Sequence, residues 1–161
     1  MARSGLIWLW ISLLVVILDQ ASKLWIDSNL SFNQPVNLLS FFDLRLLYNE
    51  GAAWSFLADA GGWQRWFLAT LAFGISIVLI VWLSRLERKQ VWLSIALALV
   101  LGGAIGNLID RVVYGYVIDF IDIYYQKWHW PAFNIADSAI SVGAVMLVVD
   151  AILEGKDKKD S

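Results

Sequence analysis

The chain has 161 residues, 60% of them hydrophobic, against an apolar share of about 45–50% in soluble domains, and the excess is gathered into long runs suited to a bilayer. Its net charge of −2 points to no nucleic-acid partner. The absence of Cys excludes disulfides, thiol chemistry and Cys-ligated metals, and the single histidine, His129, cannot by itself build a His-rich metal site or a Ser-His-Asp triad.

The first apolar run covers residues 5–26. Arg3 precedes it as in a secretory signal, and Ser12 is the only polar residue between positions 5 and 18. D-Q-A-S-K at 19–23 then stands where a small-x-small cleavage pattern would be, so the run reads as a retained first helix. In the segment 27–62, Asn33-Gln34-Pro35 signals a turn and L-R-L-L-Y at 44–48 partly alternates, which predicts a small β element resting on the outer membrane surface. The same segment holds Asn49, Gly51 and Trp54. Gly51 and the Gly61-Gly62 pair supply flexible points that would let it close over a substrate.

Apolar runs at 63–84 and 91–109 follow, separated by a short loop with Arg85, Arg88 and Lys89. A second polar segment, 110–136, carries Asp110, Arg111, Asp119 and Asp122, and a last run covers 137–153. Each run approaches the roughly 20 residues that a helix rising 1.5 Å per residue needs to cross a bilayer core. The expectation is an all-α membrane protein: one domain over 1–155 with four transmembrane helices, a small outer β element, and a charged, disordered tail at 156–161.

An even number of spans puts both termini on one side. Arg3, Arg85, Arg88, Lys89, Lys156, Lys158 and Lys159 then share that side, seven of the twelve basic residues, and the positive-inside rule makes it cytoplasmic. The tryptophans agree, with Trp8, Trp82 and Trp92 near the inner boundary and Trp25, Trp63, Trp66, Trp128 and Trp130 near the outer one.

Depth follows from counting. Asp19, Asn107 and Asp137 lie 16, 18 and 17 residues from Arg3, Lys89 and Glu154, which places all three roughly 24–27 Å from the inner boundary at helical rise. Each has a structural reading. Asp19 and Lys23 are spaced i,i+4 and can pair on one helix face; Asp110 beside Arg111 reads as an ion pair; Asn134-x-x-Asp137 resembles a helix N-cap with its N3 acid. Gly102-x-x-x-Gly106 and Ala139-x-x-x-Gly143 suit helix packing. Asp119, in V-I-D-F-I, has no adjacent base and no cap to explain it.

Taken together, Asp19, Asp110, Asp119, Asp122 and Asp137 crowd one membrane face among Asn49, Asn107 and Asn134. Ionisable groups at membrane depth are costly and mark function. Two carboxylates in one desolvated site separate their pKa values and so supply an acid and a base for hydrolysis. Residue types alone leave open whether Asp110, Asp119 or Asp122 partners Asp137. A proton relay would spread its acids through the bilayer, whereas the inner two-thirds of these spans is nearly free of charge. A divalent-cation enzyme also suits clustered carboxylates, and a protein that only packs against partners would leave five acids as an uncompensated cost.

D-Q-A-S-K at 19–23, N-E-G-A-A-W-S at 49–55, G-G-A-I-G-N-L-I-D-R at 102–111, V-I-D-F at 117–120 and F-N-I-A-D-S-A-I at 133–140 together resemble lipoprotein signal peptidase, the signal peptidase II family of membrane aspartyl endopeptidases. The resemblance spans nearly the whole chain, with the motifs in order. It implies a protein of the bacterial inner membrane, with its active site on the periplasmic side. Its substrates would be prolipoproteins carrying a diacylglyceryl-Cys, cut just before that Cys, with no metal or other cofactor and with inhibition by globomycin-type cyclic peptides. It further implies Asp119 and Asp137 as the catalytic pair. Asn49, Asn107, Arg111 and Asn134 match family positions that bind substrate or support the site, and Asp19 and Lys23 match its first motif. Gly51 and Asp110 lie within the shared motifs. Among Asn107, Asn134 and Arg111, the sequence does not single out a donor for the oxyanion.

Overall fold

The computed structural model describes residues 5–51 and 62–157, the side chains of 154–157 excepted. A short 3₁₀ turn, Gly5–Trp8, leads into α1 (Leu9–Asn29). Strands β1 (Val36–Leu39) and β2 (Phe42–Asn49) follow, then α2 (Trp63–Arg85) and α3 (Val91–Val113). Strands β3 (Val117–Tyr125) and β4 (Trp128–His129) precede α4 (Ile135–Asp157). Among the described residues, four helices are long and apolar enough to cross a membrane. The expected Trp54 and Gly61 of the closing segment lie outside the described residues, as do 158–161 of the tail. The tail's first residues continue α4.

α3 is the central helix. Over its most hydropathic stretch 56% is buried, against 17–22% for the other three, and it packs against each of them. Small residues permit this. A Cβ added to Gly102 would stand 2.8 Å from the Val15 Cβ of α1, closer than side-chain carbons approach, so the helices meet backbone to backbone. Gly143 does the same for α4, where an added Cβ would lie 2.7 Å from the Ala96 carbonyl. Leu79, Leu83, Leu86, Leu97 and Leu101 fill the α2–α3 interface.

The ends of the apolar runs differ from the ends of the helices. α1 continues to Asn29, α4 begins at Ile135, and α3 passes through Asp110 and Arg111 to Val113, so those two residues belong to a span and not to the outer segment. Hydropathy falls at the first charge, whereas backbone hydrogen bonding continues until something stops it. For α3 the stop is Gly115, at φ +95, whose N–H and that of Tyr114 both return to the Asp110 carbonyl at 3.2 and 2.8 Å. A left-handed residue here closes the helix, and glycine adopts it without strain. Arg65 of α2 then donates to the last carbonyls of α3, Nε to Arg111 at 2.7 Å and Nη2 to Val112 at 2.8 Å.

The β element is larger than the alternation at 44–48 announced. It is a four-stranded antiparallel sheet in the order β1-β2-β3-β4, and the segment 110–136 supplies half of it. β2 and β3 pair with Leu47 opposite Asp119 and Asn49 opposite Val117. Ile118 and Phe120 pack with Leu46 and Ile26 of α1 into a second core cluster, which seats β3 over the ends of the helices. V-I-D-F is buried throughout, so it does not show the apolar–polar alternation of a half-exposed strand.

Because Arg65 joins the start of α2 to the end of α3, Arg65→Ala should cost about 1–2 kcal/mol of stability, the range for charge-assisted bonds at a helix C-terminus. A thermal melt in detergent checks this; an unchanged midpoint would show that the carbonyls are satisfied without it.

Candidate active site

The polar residues of α1, α3, β3 and α4 converge where the helices meet the sheet. Lys23 lies at the centre and is 1% exposed. Its ammonium contacts Asp19 Oδ2 and Asp110 Oδ2, each at 2.8 Å, and donates to Asn107 Oδ1 at 3.0 Å. An ammonium has three N–H groups, and all three are used. The Asp19–Lys23 pair stands as the i,i+4 spacing predicts. Asp110, in contrast, pairs with Lys23 and not with Arg111. Adjacent residues on a helix do not face each other, so Arg111 points elsewhere.

The two acids reach beyond the lysine. Asp19 Oδ1 accepts the Ala136 N–H at the start of α4 at 2.9 Å. Asp110 Oδ2 accepts the Ile118 N–H of β3 at 3.1 Å. Gln20, whose role sequence reasoning missed although it stands inside D-Q-A-S-K, donates to Asp110 Oδ1 at 2.8 Å. Gly106, read as a packing residue, leaves room for a carboxylate: a Cβ there would lie 2.6 Å from Asp19 Oδ2.

Above this network, Asn134 caps α4. Its Oδ1 accepts the Asp137 N–H at 2.9 Å, and Asp137 Oδ2 returns to the Asn134 N–H at 3.3 Å, a reciprocal capping box. The cap prediction therefore holds, yet capping does not exhaust either side chain. Asn134 Nδ2 donates to Asp119 Oδ1 at 2.7 Å, and Asn107 Nδ2 donates to Asp137 Oδ1 at 2.7 Å. Asn49 Nδ2 holds the other Asp119 oxygen at 3.0 Å. Two carboxylates, one from β3 and one from α4, are thus held by three amides.

Asp119 and Asp137 line a cavity of about 560 Å³ together with Asn49, Asn107, Arg111 and Ser138. Burial, and then the neighbouring Asp137 charge, push the Asp119 carboxyl up to about 7; the bonds from Asn49 and Asn134 and the charge of Lys23 act in the opposite sense. Arg111 reaches the cavity from α3, donating through Nη2 to the Gly51 carbonyl at 3.1 Å and through Nη1 to the Asn107 carbonyl at 3.2 Å. Gly51 is buried, and its N–H bonds Asn49 Oδ1 at 3.0 Å. Asp122 is three residues from Asp119 on one strand and therefore faces the opposite side. It bonds His129 Nδ1 at 2.8 Å and Arg45 at 3.5 Å. Asp110 is bound up with Lys23, so the carboxylate that shares the cavity with Asp137 is Asp119.

The family model Peptidase_A8, described as signal peptidase (SPase) II, matches residues 11–153. Among curated relatives, a lipoprotein signal peptidase of Shewanella baltica is 51% identical over 98% of this chain and 92% of its own length. One of Pseudomonas fluorescens is 59% identical over 89% and 85%, and one of Aeromonas hydrophila is 54% identical over 97% and 94%. Among solved structures, a bacterial membrane enzyme determined in meso at 2.3 Å superposes with a TM-score of 0.86 at 30% identity, covering 96% of this chain and 92% of that one. Another, determined at 1.9 Å, gives 0.80 at 29% identity, covering 94% and 97%.

Removing the cation from the buried network leaves two carboxylates without it. Lys23→Met should destabilise by about 3–5 kcal/mol, the cost of breaking a buried ion pair from one side. A melt of the variant that matches the wild type would show that the network is not what joins these elements.

Proposed function

The chain belongs to the signal peptidase II family, and from that membership we propose that it is an aspartyl endopeptidase of the bacterial inner membrane. It removes the signal peptide from diacylglyceryl-modified prolipoproteins, cutting just before the lipidated Cys. Asp119 and Asp137 do the chemistry without a metal. The observation that carries this reading is the cavity lined by both carboxylates, each held by amide donors from a different element.

The reaction needs one carboxylate as base and one carboxylic acid. The base takes a proton from water as the water oxygen bonds to the scissile carbonyl carbon, and the acid gives its proton to the carbonyl oxygen. The C–N bond then breaks as the protonated base gives its proton to the leaving amine and the other carboxylate takes one back from a hydroxyl of the intermediate, so the products are an acid and a new N-terminal Cys and the pair is restored. Two carboxylates in one desolvated cavity share a single proton near neutral pH, which supplies both forms at once. An Asp119 carboxyl pushed up to about 7 fits a pair in that state.

The oxyanion needs donors. Asn107 and Asn134 spend their amides on the two aspartates. Arg111 has five N–H groups, of which two positions bond backbone carbonyls. We therefore assign to Arg111 the negative charge that gathers on the carbonyl oxygen before the acid's proton reaches it. Its hold on the Gly51 carbonyl also ties α3 to the chain that follows β2.

With the positive-inside orientation, the site faces the periplasm and both termini the cytoplasm. A scissile bond at the end of an apolar signal helix arrives at this depth while its acyl chains remain in lipid. Prolipoprotein, membrane lipid and globomycin-type inhibitors are then the partners.

Two tests follow. With a diacylglyceryl-modified prolipoprotein in detergent and excess chelator, the wild type should cut before the lipidated Cys, while Asp119→Asn and Asp137→Asn should be inactive but folded and Asp122→Asn substantially active. Loss with Asp122→Asn as complete as with Asp119→Asn would break the assignment, and wild-type activity that disappears with chelator would point to a metal. The second test concerns stability. A carboxyl raised to about 7 in the fold and near 3.9 when unfolded binds more protons in the native state between those values. Stability should therefore fall as pH rises from about 4 to 7, and Asp119→Asn should flatten that slope. Equal slopes for both proteins would contradict it.

A further inference from the structure

The face of the sheet turned away from the cavity holds a polar cluster that the proposed chemistry does not use. Asp122 is 2% exposed. Its two oxygens contact His129 Nδ1 at 2.8 and 3.1 Å, and a carboxylate only accepts, so that nitrogen carries the proton. The His129 ring also stacks on Tyr124 at 5.1 Å between centroids. Arg45 reaches Asp122 from β2 at 3.5 Å and is itself held by Asn33 at 2.9 Å.

The position of His129 gives this cluster a purpose. β4 is only two residues long and joins β3 through Gln126-Lys127, where Gln126 takes a left-handed φ of +55. A non-glycine residue in that conformation is disfavoured, and so short a hairpin is marginal by itself. A side-chain tie is what such a turn lacks, and the His129–Asp122 bond supplies it. The chain after His129 is Trp130, Pro131, Ala132 and Phe133, all of which line the catalytic cavity. Trp130 and Phe133 are fastened to β3 through their N–H groups, at 2.8 Å to Ile123 and 3.1 Å to Ile121, while Pro131 has no N–H to offer. This wall hangs between His129 at one end and Asn134, which caps α4 and touches Asp119, at the other.

We propose that His129, through its bond to buried Asp122, is a positioning residue that sets the 130–133 wall of the cavity to receive the substrate peptide, an inference that rests on the peptidase reading above. Loosening the wall at its His129 end leaves the carboxylates and their amides in place, so binding should suffer and the chemical step should not.

The test is steady-state cleavage of a diacylglyceryl-modified prolipoprotein peptide by the wild type, His129→Ala and His129→Gln in detergent. The His129 side chain is 46% exposed, so both variants should fold. His129→Ala should raise KM about five- to tenfold, the net scale of one lost hydrogen bond at a partly exposed side chain, with kcat within about twofold. His129→Gln, whose amide can still donate to Asp122, should recover most of the loss. An unchanged KM in His129→Ala, a fall in kcat in place of a rise in KM, or a Gln variant no better than Ala overturns the inference while leaving the peptidase reading intact. A wild type that does not cleave overturns that reading and the inference with it.

Discussion

The Lys23 ammonium, buried between Asp19 and Asp110, is the contact on which the rest of the structure depends. A charge at this depth is tolerable only when every N–H and every oxygen has a partner, and the partners are what join the fold. Asp19 reaches the first turn of α4, Asp110 reaches the first residues of β3, and Asn107 takes the third N–H. One lysine on α1 therefore fixes where α3, α4 and β3 meet. The cluster has two acids for one base, and the surplus negative charge lies against the N-terminus of α4, where the helix dipole favours an anion. The same fixing sets the two cavity carboxylates, because Asn107 passes from Lys23 to Asp137 and Asn134 passes from Asp137 to Asp119.

Asp137 has a structural role, and the proposed function gives it a chemical one as well. As the N3 acid of a capping box it holds the start of α4, and as a cavity-lining carboxylate it faces Asp119. The cap anchors the side chain before any substrate arrives, which is the pre-organisation that a hydrolytic pair requires. Asp119 is held in a different way, by two amides that stabilise its charge against the burial that opposes it. The balance leaves a carboxyl able to change protonation state near neutral pH. A fully satisfied pair of anions would have been more stable and of less use.

Much of this was legible in the residues. The four spans, the common depth of Asp19, Asn107 and Asp137, the Asp19–Lys23 pair and the Asn134 cap all follow from helical rise and spacing. The failures have physical causes. Hydropathy marks where charge begins, not where the backbone stops bonding, so the apolar run ends at 109 while α3 continues to Val113 and is closed by Gly115. β3 escapes the alternation test because its first four residues, Val117–Phe120, are buried on both faces. Adjacency in sequence suggested Asp110–Arg111, but neighbouring helix residues diverge, and only the crossing of α1 and α3 brings Asp110 to Lys23. Asp119 could not be told from Asp122 by composition. The choice came from motif resemblance, and strand geometry now separates the two by placing them on opposite faces.

The central claim is that Asp119 and Asp137 titrate as one coupled pair. The most direct measurement is the titration of the Asp119 carboxyl, followed by ¹³C resonance or infrared difference in the wild type and in Asp137→Asn. The account predicts a midpoint of about 7 in the wild type and a clear fall once the Asp137 charge is removed. A midpoint in the ordinary carboxylate range, or one that Asp137→Asn leaves unmoved, would contradict it.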